Sequence, residues 1–199
     1  MASVGAVPAA SAAPQDVRRQ RADAQRNVTA LLEAAKTVFM STGVDAPAKE
    51  ITDLAGLGVG TLYRHFPKRS DLVVAVMERE IDDCAAAASS LAAEHEPWDA
   101  LACWVDRLVE LVGTKRGLAV ALHSGDPAFD ELPGYIMSRL EPALDGLLAA
   151  ARAAGALRAT VTARDLVLVI ALMCQPMRGE GISFNERMIQ IFLRGLRHD

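Results

Sequence analysis

The residues best suited to chemistry lie in one short segment, where hydroxyl, phenol, imidazole and cationic groups follow one another at helical spacing. Leu62 and Phe66, four residues apart, share an apolar face that leaves these polar groups on other faces. Such groups can hydrogen-bond to phosphates and to base edges, and two glycines would let a backbone come close. The polar groups and glycines are Gly58, Gly60, Thr61, Tyr63, Arg64, His65, Lys68 and Arg69.

A helix-turn-helix is the arrangement that would position these groups. Residues 49–72 have the pattern of a short helix, a glycine-containing turn, a second short helix, and a break at Pro67 before a longer helix. Within the first of these helices, Ile51, Leu54 and Ala55 share one face, but Thr52 and Leu54 leave open which face of this helix is exposed. The second helix of such a motif can enter a DNA major groove, so this segment predicts DNA binding.

The same stretch resembles the tetracycline-repressor (TetR) family of one-component regulators. The resemblance covers about residues 18–95, and the C-terminal domains of the family diverge widely. It is carried by Leu31-Leu32-Glu33-Ala34-Ala35, Val38-Phe39, Gly43, Ile51, the run Ala55-Gly56-Leu57-Gly58-Val59-Gly60-Thr61-Leu62-Tyr63-Arg64-His65-Phe66, Arg69 and Leu72.

The resemblance implies roles for individual residues on DNA. Thr61, Tyr63 and Arg69 fall at the positions where the family holds phosphates, and Lys68 adds a second cation beside Arg69. Cations at the start of a helix do not complement its macrodipole, so phosphate binding explains these two better than helix stability does. Gly58 and Gly60 either permit close approach to DNA or serve turn and capping geometry. The candidates for reading bases are Lys49, Val59, Gly60, Arg64 and His65.

The chain divides into three parts by composition. Residues 1–17 are rich in alanine, proline and serine and are expected to be disordered. Residues 18–72 form the expected DNA-binding domain, in which the first helix begins near Asn27. The four arginines between positions 18 and 26 are either a solvated lead-in to that helix or a basic arm that touches DNA. Residues 73–199 form the expected helical body for ligand binding and dimerisation.

Charge and composition limit the possible classes of protein. From Asp16 to Leu72, nine lysine and arginine residues face seven aspartates and glutamates, which leaves −6 for the rest of a chain whose net charge is −4. A mildly basic head on an acidic body fits a DNA-binding domain joined to a sensor or dimer domain. The chain is 51% hydrophobic and has no long strand-like alternation, so we predict an all-α fold of about nine helices.

Several classes of function and location are excluded by what the pattern lacks. The chain shows no paired carboxylates suited to catalysis, no phosphate loop and no nucleophile motif, so we do not expect an enzyme. The cysteines Cys84, Cys103 and Cys174 lack metal-like spacing and are expected to be reduced thiols. Neither a metal nor a cofactor is predicted. The longest apolar run, residues 166–174, is too short to span a bilayer, so a soluble, cytoplasmic protein is expected.

Two C-terminal helices are the candidates for a dimer interface. Thr162 can cap an eighth helix reaching about Met177, and Asn185 can cap a ninth that runs to about Leu196. Residues 166–177 are apolar nearly all round and so must be buried on more than one side. In the family, these helices pack with those of a second subunit as a four-helix bundle. The candidate interface residues are Leu166, Ile170, Met177, Met188, Ile191, Phe192 and Leu196.

The body is also expected to hold a ligand cavity between its fourth and eighth helices. Aromatic and methionine walls with few polar groups suit an apolar or amphipathic small molecule, although ordinary core packing is the alternative for each residue. His123 needs a polar partner in its apolar helix, and Asp126 is close in sequence. The candidate lining residues are Trp98, Trp104, Leu108, Leu122, His123, Phe129, Tyr135, Met137, Met173 and Cys174.

Together these patterns and the resemblance predict a ligand-responsive transcriptional regulator. We expect a repressor that binds a palindromic operator in double-stranded DNA as a homodimer and is released by a small, largely apolar effector. The alternative is a DNA-binding protein of the same type that has no small-molecule ligand and acts through a protein partner. A cavity in the body would favour the first, and a sealed, well-packed core the second.

Overall fold

The computed structural model describes residues 14–157 and 160–197, and within these ranges the chain is helical, with no β-strand. Its one extended pairing is an isolated antiparallel bridge between Leu157 and Arg197. The all-α prediction is therefore confirmed. The elements are α1 (Pro14–Ser41), α2 (Ala48–Ala55), α3 (Val59–His65), α4 (Arg69–Glu94), α5 (Pro97–Gly117), α6 (Ala119–Leu122), a 3₁₀ turn (Pro127–Phe129), α7 (Leu132–Ala153), α8 (Ala163–Met173) and α9 (Ile182–Leu196).

Helix α1 begins at Pro14, much earlier than the predicted start near Asn27. The added turns are polar and exposed at residues 21–26, with Arg26 paired to Asp23, so no apolar stripe marked them in the sequence. Arginine, glutamine and alanine, which dominate this part, all have high helix propensity. Residues 14–17, expected to be disordered, belong to this helix, while residues 1–13 lie outside the described residues.

The first three helices pack into a small head. The stripe that α1 buries includes Leu31, Ala35 and Phe39, and Ile51 of α2 packs into the same core. Gly56 ends α2 in the left-handed region, at φ +66°, and its N–H bonds to the carbonyl of Asp53. That conformation strongly favours glycine, so the sharp turn into α3 depends on this residue.

The long helix α4 belongs to both the head and the body. Its buried residues pack against α1 at one end and against α5 and α7 along most of its length. Trp104 of α5 is fully buried beside it, and its indole Nε1 donates to the carbonyl oxygen of Cys84 at 2.9 Å. Burial raises the pKa of the Cys84 thiol to about 12, which keeps it protonated and unreactive. Helix α8 packs on α5 and α7, and α9 on α8.

The end of α8 differs from the prediction. The helix stops at Met173 rather than near Met177, and α9 begins at Ile182, so Asn185 lies inside α9 instead of capping it. The buried amide of Asn185 donates to the carbonyl of Met173 and, at 2.9 Å, to that of Gln175. It thereby satisfies carbonyls that the end of α8 would leave without a partner. Thr162 does cap the start of α8, as predicted, by accepting from the N–H of Asp165 at 3.1 Å.

No helix in the described ranges is both long and apolar enough to cross a membrane. Among the same residues, no group of three or more histidine, cysteine or acidic side chains is placed to hold a metal ion.

Candidate nucleic-acid interface

Helix α3 presents its polar face outward because its apolar residues are anchored in the head. Leu62 and Phe66 are both buried, whereas Tyr63 and Arg64 are exposed. Thr61 and His65 are half-buried, and Val59 is exposed at the first position of the helix. The structure therefore leaves the predicted DNA-contacting residues of α3 either exposed or half-buried, and none of them fully buried. Hydroxyl, phenol, guanidinium and imidazole groups there can hydrogen-bond to phosphates and base edges.

The two glycines at the start of α3 are not required by the backbone. Gly58 has an ordinary extended conformation, with φ −82°, and a Cβ added to either Gly58 or Gly60 would meet no other atom within 4 Å. Of the turn and capping roles considered for them, the turn between α2 and α3 needs glycine at Gly56, while Gly58 is the N-cap of α3 in a conformation that other residues also adopt. What these two positions provide is a stretch of helix start without side chains on the outer surface of the head.

The structure shows which face of helix α2 is exposed, a point that the sequence left open. Leu54 is 57% exposed although it shares a face with the buried Ile51, while Thr52 is buried and donates to the carbonyl of Lys49 at 3.2 Å. In a helix of only eight residues, the sequence pattern does not decide which face is buried. Thr52 can be buried because its hydroxyl has a hydrogen-bond partner within the helix. Lys49 is exposed and forms an ion pair with Asp53 at 2.6 Å. An exposed pair of this kind contributes little to stability, so it can open for another anion.

Arg69 does not point toward solvent as a phosphate-binding residue would. Its Nε donates to the carbonyl of Val44 at 2.6 Å, and a second guanidinium nitrogen donates to the carbonyl of Ala46. The guanidinium also lies over the ring of Phe39, 4.9 Å from its centre. Burial is the main cause of the lowered pKa of Arg69. The sequence predicted that Arg69 binds phosphate. In the structure its side chain is hydrogen-bonded within the head, where it links the loop after α1 to the start of α4.

Lys68, next to Arg69, is the exposed cation at this end of the head. Its backbone N–H donates to the carboxylate of Asp71 at 2.9 Å, which fixes the first turn of α4 and leaves the Lys68 ammonium at the surface beside α3. Sequence reasoning treated the two neighbouring cations alike. Only Lys68 keeps the exposure that a phosphate contact needs.

The loop that follows α6 belongs to the body and contacts the first turn of α4. The carboxylate of Asp126 accepts from the N–H of Ala128 at 2.9 Å and from the hydroxyl of Ser70 in the first turn of α4, and both bonds lower the pKa of Asp126. Phe129, just beyond, is buried against the core. This loop therefore connects the core of the body to the first turn of α4, which directly follows α3 in the chain.

The predicted ligand residues separate into two groups. A cavity of about 160 Å³ brings Leu122, His123 and Phe129 together with Met77 and other apolar residues. The remaining candidates do not line it. Tyr135 lines an adjacent, open cavity of about 510 Å³, and its hydroxyl donates to Asp82 at 3.0 Å. Trp98, Trp104, Leu108 and Cys174 are buried in the core, and Met137 and Met173 are half-buried against it.

The predicted dimer residues also separate by orientation. Leu166, Ile170 and Leu196 face the core of the protomer and are buried there, so their side chains are not available to a second copy. Met177 and Ile191 are exposed, while Met188 and Phe192 are half-buried. Two residues that the sequence prediction missed, Leu168 and Leu172, form the outer face of α8. An apolar run on all sides of a helix signals two buried faces but does not say which residues belong to each.

The chain matches two known families. Residues 31–76 match the family described as bacterial regulatory proteins, tetR family, and residues 96–198 match the family described as transcriptional regulator SbtR-like, C-terminal domain. The second match covers more than half of the chain.

The structure is similar to solved regulators over nearly their whole length. A TetR transcriptional regulator from Streptomyces coelicolor is 34% identical with a TM-score of 0.70, covering 85% of this chain and 98% of that chain. A TetR transcription regulatory protein from Mycobacterium vanbaalenii is 33% identical with a TM-score of 0.70, covering 90% and 99%. An HTH-type transcriptional regulator from Staphylococcus aureus is 33% identical over 84 residues, 41% of this chain and 44% of that protein. The chain thus spans less than half the length of this curated relative.

Proposed function

This chain belongs to the TetR family of bacterial transcriptional regulators, and from that premise we propose that it is a repressor that binds a palindromic operator as a homodimer. A small, largely apolar effector would bind in the body and release it from DNA. Since the effector and DNA would favour different arrangements of the two heads, each would weaken the binding of the other. The family consists of transcriptional regulators rather than enzymes.

The outer surface of α3 is the observation that carries the proposal. Tyr63 and Arg64 are exposed on α3. The start of this helix, at Gly58 and Gly60, carries no side chains, although the fold has room for a Cβ at both positions. Lys68 adds a cation at the adjoining end of α4. Phosphates bound by Tyr63 and Lys68 would hold the helix in a major groove, and Arg64 is long enough to reach base edges there.

The proposed division of labour follows the helices. Residues 18–72 would read DNA, and residues 73–199 would bind the effector and the second subunit. Exposed apolar side chains on α8, α9 and the segment between them support the dimer, because large apolar groups in contiguous exposed patches mark interaction surfaces. They are Leu168, Leu172, Met177 and Ile191. A regulator that reads DNA works in the cytoplasm, which is the location we propose.

Selection of bound duplexes from a random pool tests the DNA-reading function. The purified full-length protein is expected to enrich a palindrome whose half-sites are about one helical turn apart, or a multiple of it, as a two-fold dimer requires. Tyr63→Ala should lose most of the enrichment at the same salt concentration, since it removes a phosphate contact from each subunit. Enrichment of no sequence above background at low salt would refute the proposal.

A cavity in the body supports regulation by a small-molecule effector rather than by a protein partner alone. The space of about 160 Å³ is walled mainly by Leu122, Phe129, Leu132 and Ile136, with His123 at its rim. Its floor lies on α4, the helix that also enters the head. A panel of small aliphatic and aromatic alcohols added to the complex with the selected duplex tests this part. Release of the duplex by a member of the panel is expected, and a panel without effect would favour the protein-partner alternative.

Gly60→Ala is expected to separate stability from DNA binding. Alanine is favoured over glycine within a helix and meets open space at this position, so the free energy of unfolding should rise by up to about 1 kcal/mol. Its methyl group would occupy the gap through which the helix start approaches DNA, and operator affinity should fall about tenfold, or roughly 1.4 kcal/mol.

The matched control is Gly146→Ala in α7, which is exposed and also meets open space. It should give a similar stabilisation in thermal unfolding and leave operator affinity unchanged. Equal operator affinities for the two variants would show that DNA does not come close to Gly60.

A further inference from the structure

A third cavity, of about 430 Å³, opens where the head meets the body, on residues that are not part of the proposed effector site. We call it the junction groove. One wall is the end of α1 with Lys36 and Met40, and the other walls come from α4, α5 and α9, represented by Cys84, Val109 and Glu186. The groove and the effector cavity have no lining residue in common.

The lining of the junction groove is amphipathic. Met40 is 56% exposed there, although it is a large apolar side chain at the edge of a well-packed head. Val109 and the buried Leu111 extend this apolar surface on the side of α5. A methionine wall adapts to ligands of different shapes because its side chain is unbranched and polarisable. A hydrocarbon group of moderate size therefore has a surface to cover in this groove.

Among the lining side chains that the structure describes, carboxylates outnumber cations. Lys36 is already paired with Glu80 at 2.6 Å, and Arg107 with Glu110 at 3.0 Å. Those four side chains cancel in charge, so the acids that remain set the sign of the groove.

Asp83 and Glu186 are the two remaining acids. Asp83 has only a long contact, 3.7 Å, to an Arg79 guanidinium that binds Glu33 more closely, at 2.8 Å. Glu186 forms no ion pair with any side chain described in residues 14–157 and 160–197. Burial first, and then the charges of Glu110 and Glu186, raise the pKa of Asp106 on α5.

We propose that the junction groove binds a cationic amphipathic small molecule, with its apolar part on Met40 and Val109 and its cationic group between Asp83 and Glu186. The groove matches such a molecule in volume, in its apolar surface and in the sign of its uncompensated charge. Neutral compounds would gain only the apolar contact, and anions would be repelled.

A ligand in this position would touch the head through α1 and the body through α4, α5 and α9. If the head changes its angle to the body when DNA binds, occupancy of the groove and affinity for DNA are linked, and the linkage is reciprocal. This regulatory consequence rests on the proposed DNA-binding function, whereas binding in the groove does not. The two can therefore be tested separately.

Three probes with the same eight-carbon tail test the binding site by calorimetry on the full-length chain: octyltrimethylammonium, 1-octanol and octyl sulfate. The cation should bind most tightly, the alcohol more weakly, and the sulfate not measurably. Equal binding of all three, or binding of none, would overturn the proposal.

The double variant Asp83→Asn, Glu186→Gln should weaken octyltrimethylammonium roughly tenfold, as expected if each exposed carboxylate contributes about 0.7 kcal/mol. It should leave 1-octanol unchanged. Asp130→Asn with Glu131→Gln, in the open cavity at the start of α7, is the matched control and should alter neither. Met40→Gln should weaken both probes. An unchanged cation affinity in the first double variant would place the probe elsewhere.

The regulatory consequence is read from operator binding. Saturating octyltrimethylammonium should shift the affinity of the wild-type chain for its selected duplex at least threefold, and the Asp83, Glu186 double variant should show no shift at the same concentration. Groove binding without a shift would refute the regulatory role alone. Failure to select any duplex would refute the proposed function and leave the calorimetric result standing.

Discussion

Arg69→Ala is expected to lower the free energy of unfolding by about 2–4 kcal/mol, because two partly buried carbonyl oxygens lose a charged hydrogen-bond donor. Val44 and Ala46, which carry those carbonyls, are both buried, so water does not readily replace the guanidinium. The contact of the guanidinium with the ring of Phe39 is lost as well. Denaturant unfolding followed by circular dichroism measures this change.

Arg69→Lys should be nearly as destabilising, since an ammonium cannot reproduce the two-pronged contact of a guanidinium. Lys68→Ala is the control at the neighbouring position, and it should change stability little because that side chain is exposed. A fully stable Arg69→Ala variant would show that the guanidinium does not hold the loop after α1.

The same variants distinguish a structural arginine from a phosphate contact. Under conditions in which both are folded, Lys68→Ala should reduce the slope of log affinity against log salt concentration by about 1 for each subunit, and Arg69→Ala should leave the slope unchanged. A lower slope for Arg69→Ala would restore it to the phosphate-binding role that its sequence position suggests.

Leu172→Asp is expected to weaken association of the two subunits of the proposed dimer about a thousandfold. In a two-fold dimer the substitution occurs twice, and each copy would lose about 2 kcal/mol of apolar burial, before any cost of burying the carboxylate. Leu172 is 70% exposed in the protomer, so the fold of the single chain loses almost nothing. Sedimentation velocity over a concentration series measures the shift from dimer to monomer.

Leu54→Asp, on the exposed side of α2, is the matched control for the same change of chemistry. It should leave the association constant unaltered. If both variants remain dimers at the lowest measurable concentration, the exposed face of α8 is not the interface, and another surface must hold the subunits together.

The sequence predicted α3 well because local signals agree there. Leu62 and Phe66 fix which face is buried, Gly56 marks the turn and Pro67 marks the break, all within a dozen residues. The hydrogen bonds of the Arg69 guanidinium could not be predicted in the same way. Its carbonyl partners lie 23 and 25 positions earlier in the chain and come within reach only after α1, α2 and α4 have packed.

The residues predicted for the ligand cavity and the dimer interface differ from one another in burial for a different reason. Residue type predicts burial but not what a buried side chain faces. Trp104 and Leu108 were assigned to the cavity wall on their type and lie in solid core. In α8, periodicity could not separate Leu166 and Ile170, which face inward, from the missed Leu168 and Leu172, because all four positions are apolar. Helices α5 and α7 pack against α8 and so determine which of its faces remains exposed. The sequence of α8 alone does not show where those helices lie.

Both tryptophans of the chain lie in α5, so its tryptophan fluorescence originates entirely from the body. Trp104 is sealed in the core beside Cys84, and Trp98 lies against the C-terminal end of α9, where the guanidinium of Arg197 sits 5.6 Å from its ring. Tryptophan emission, excited at wavelengths that tyrosine does not absorb, consequently does not report loosening of the head, whereas far-ultraviolet circular dichroism reports on every helix. A head that frays before the body would show up as two optical signals that no longer melt together.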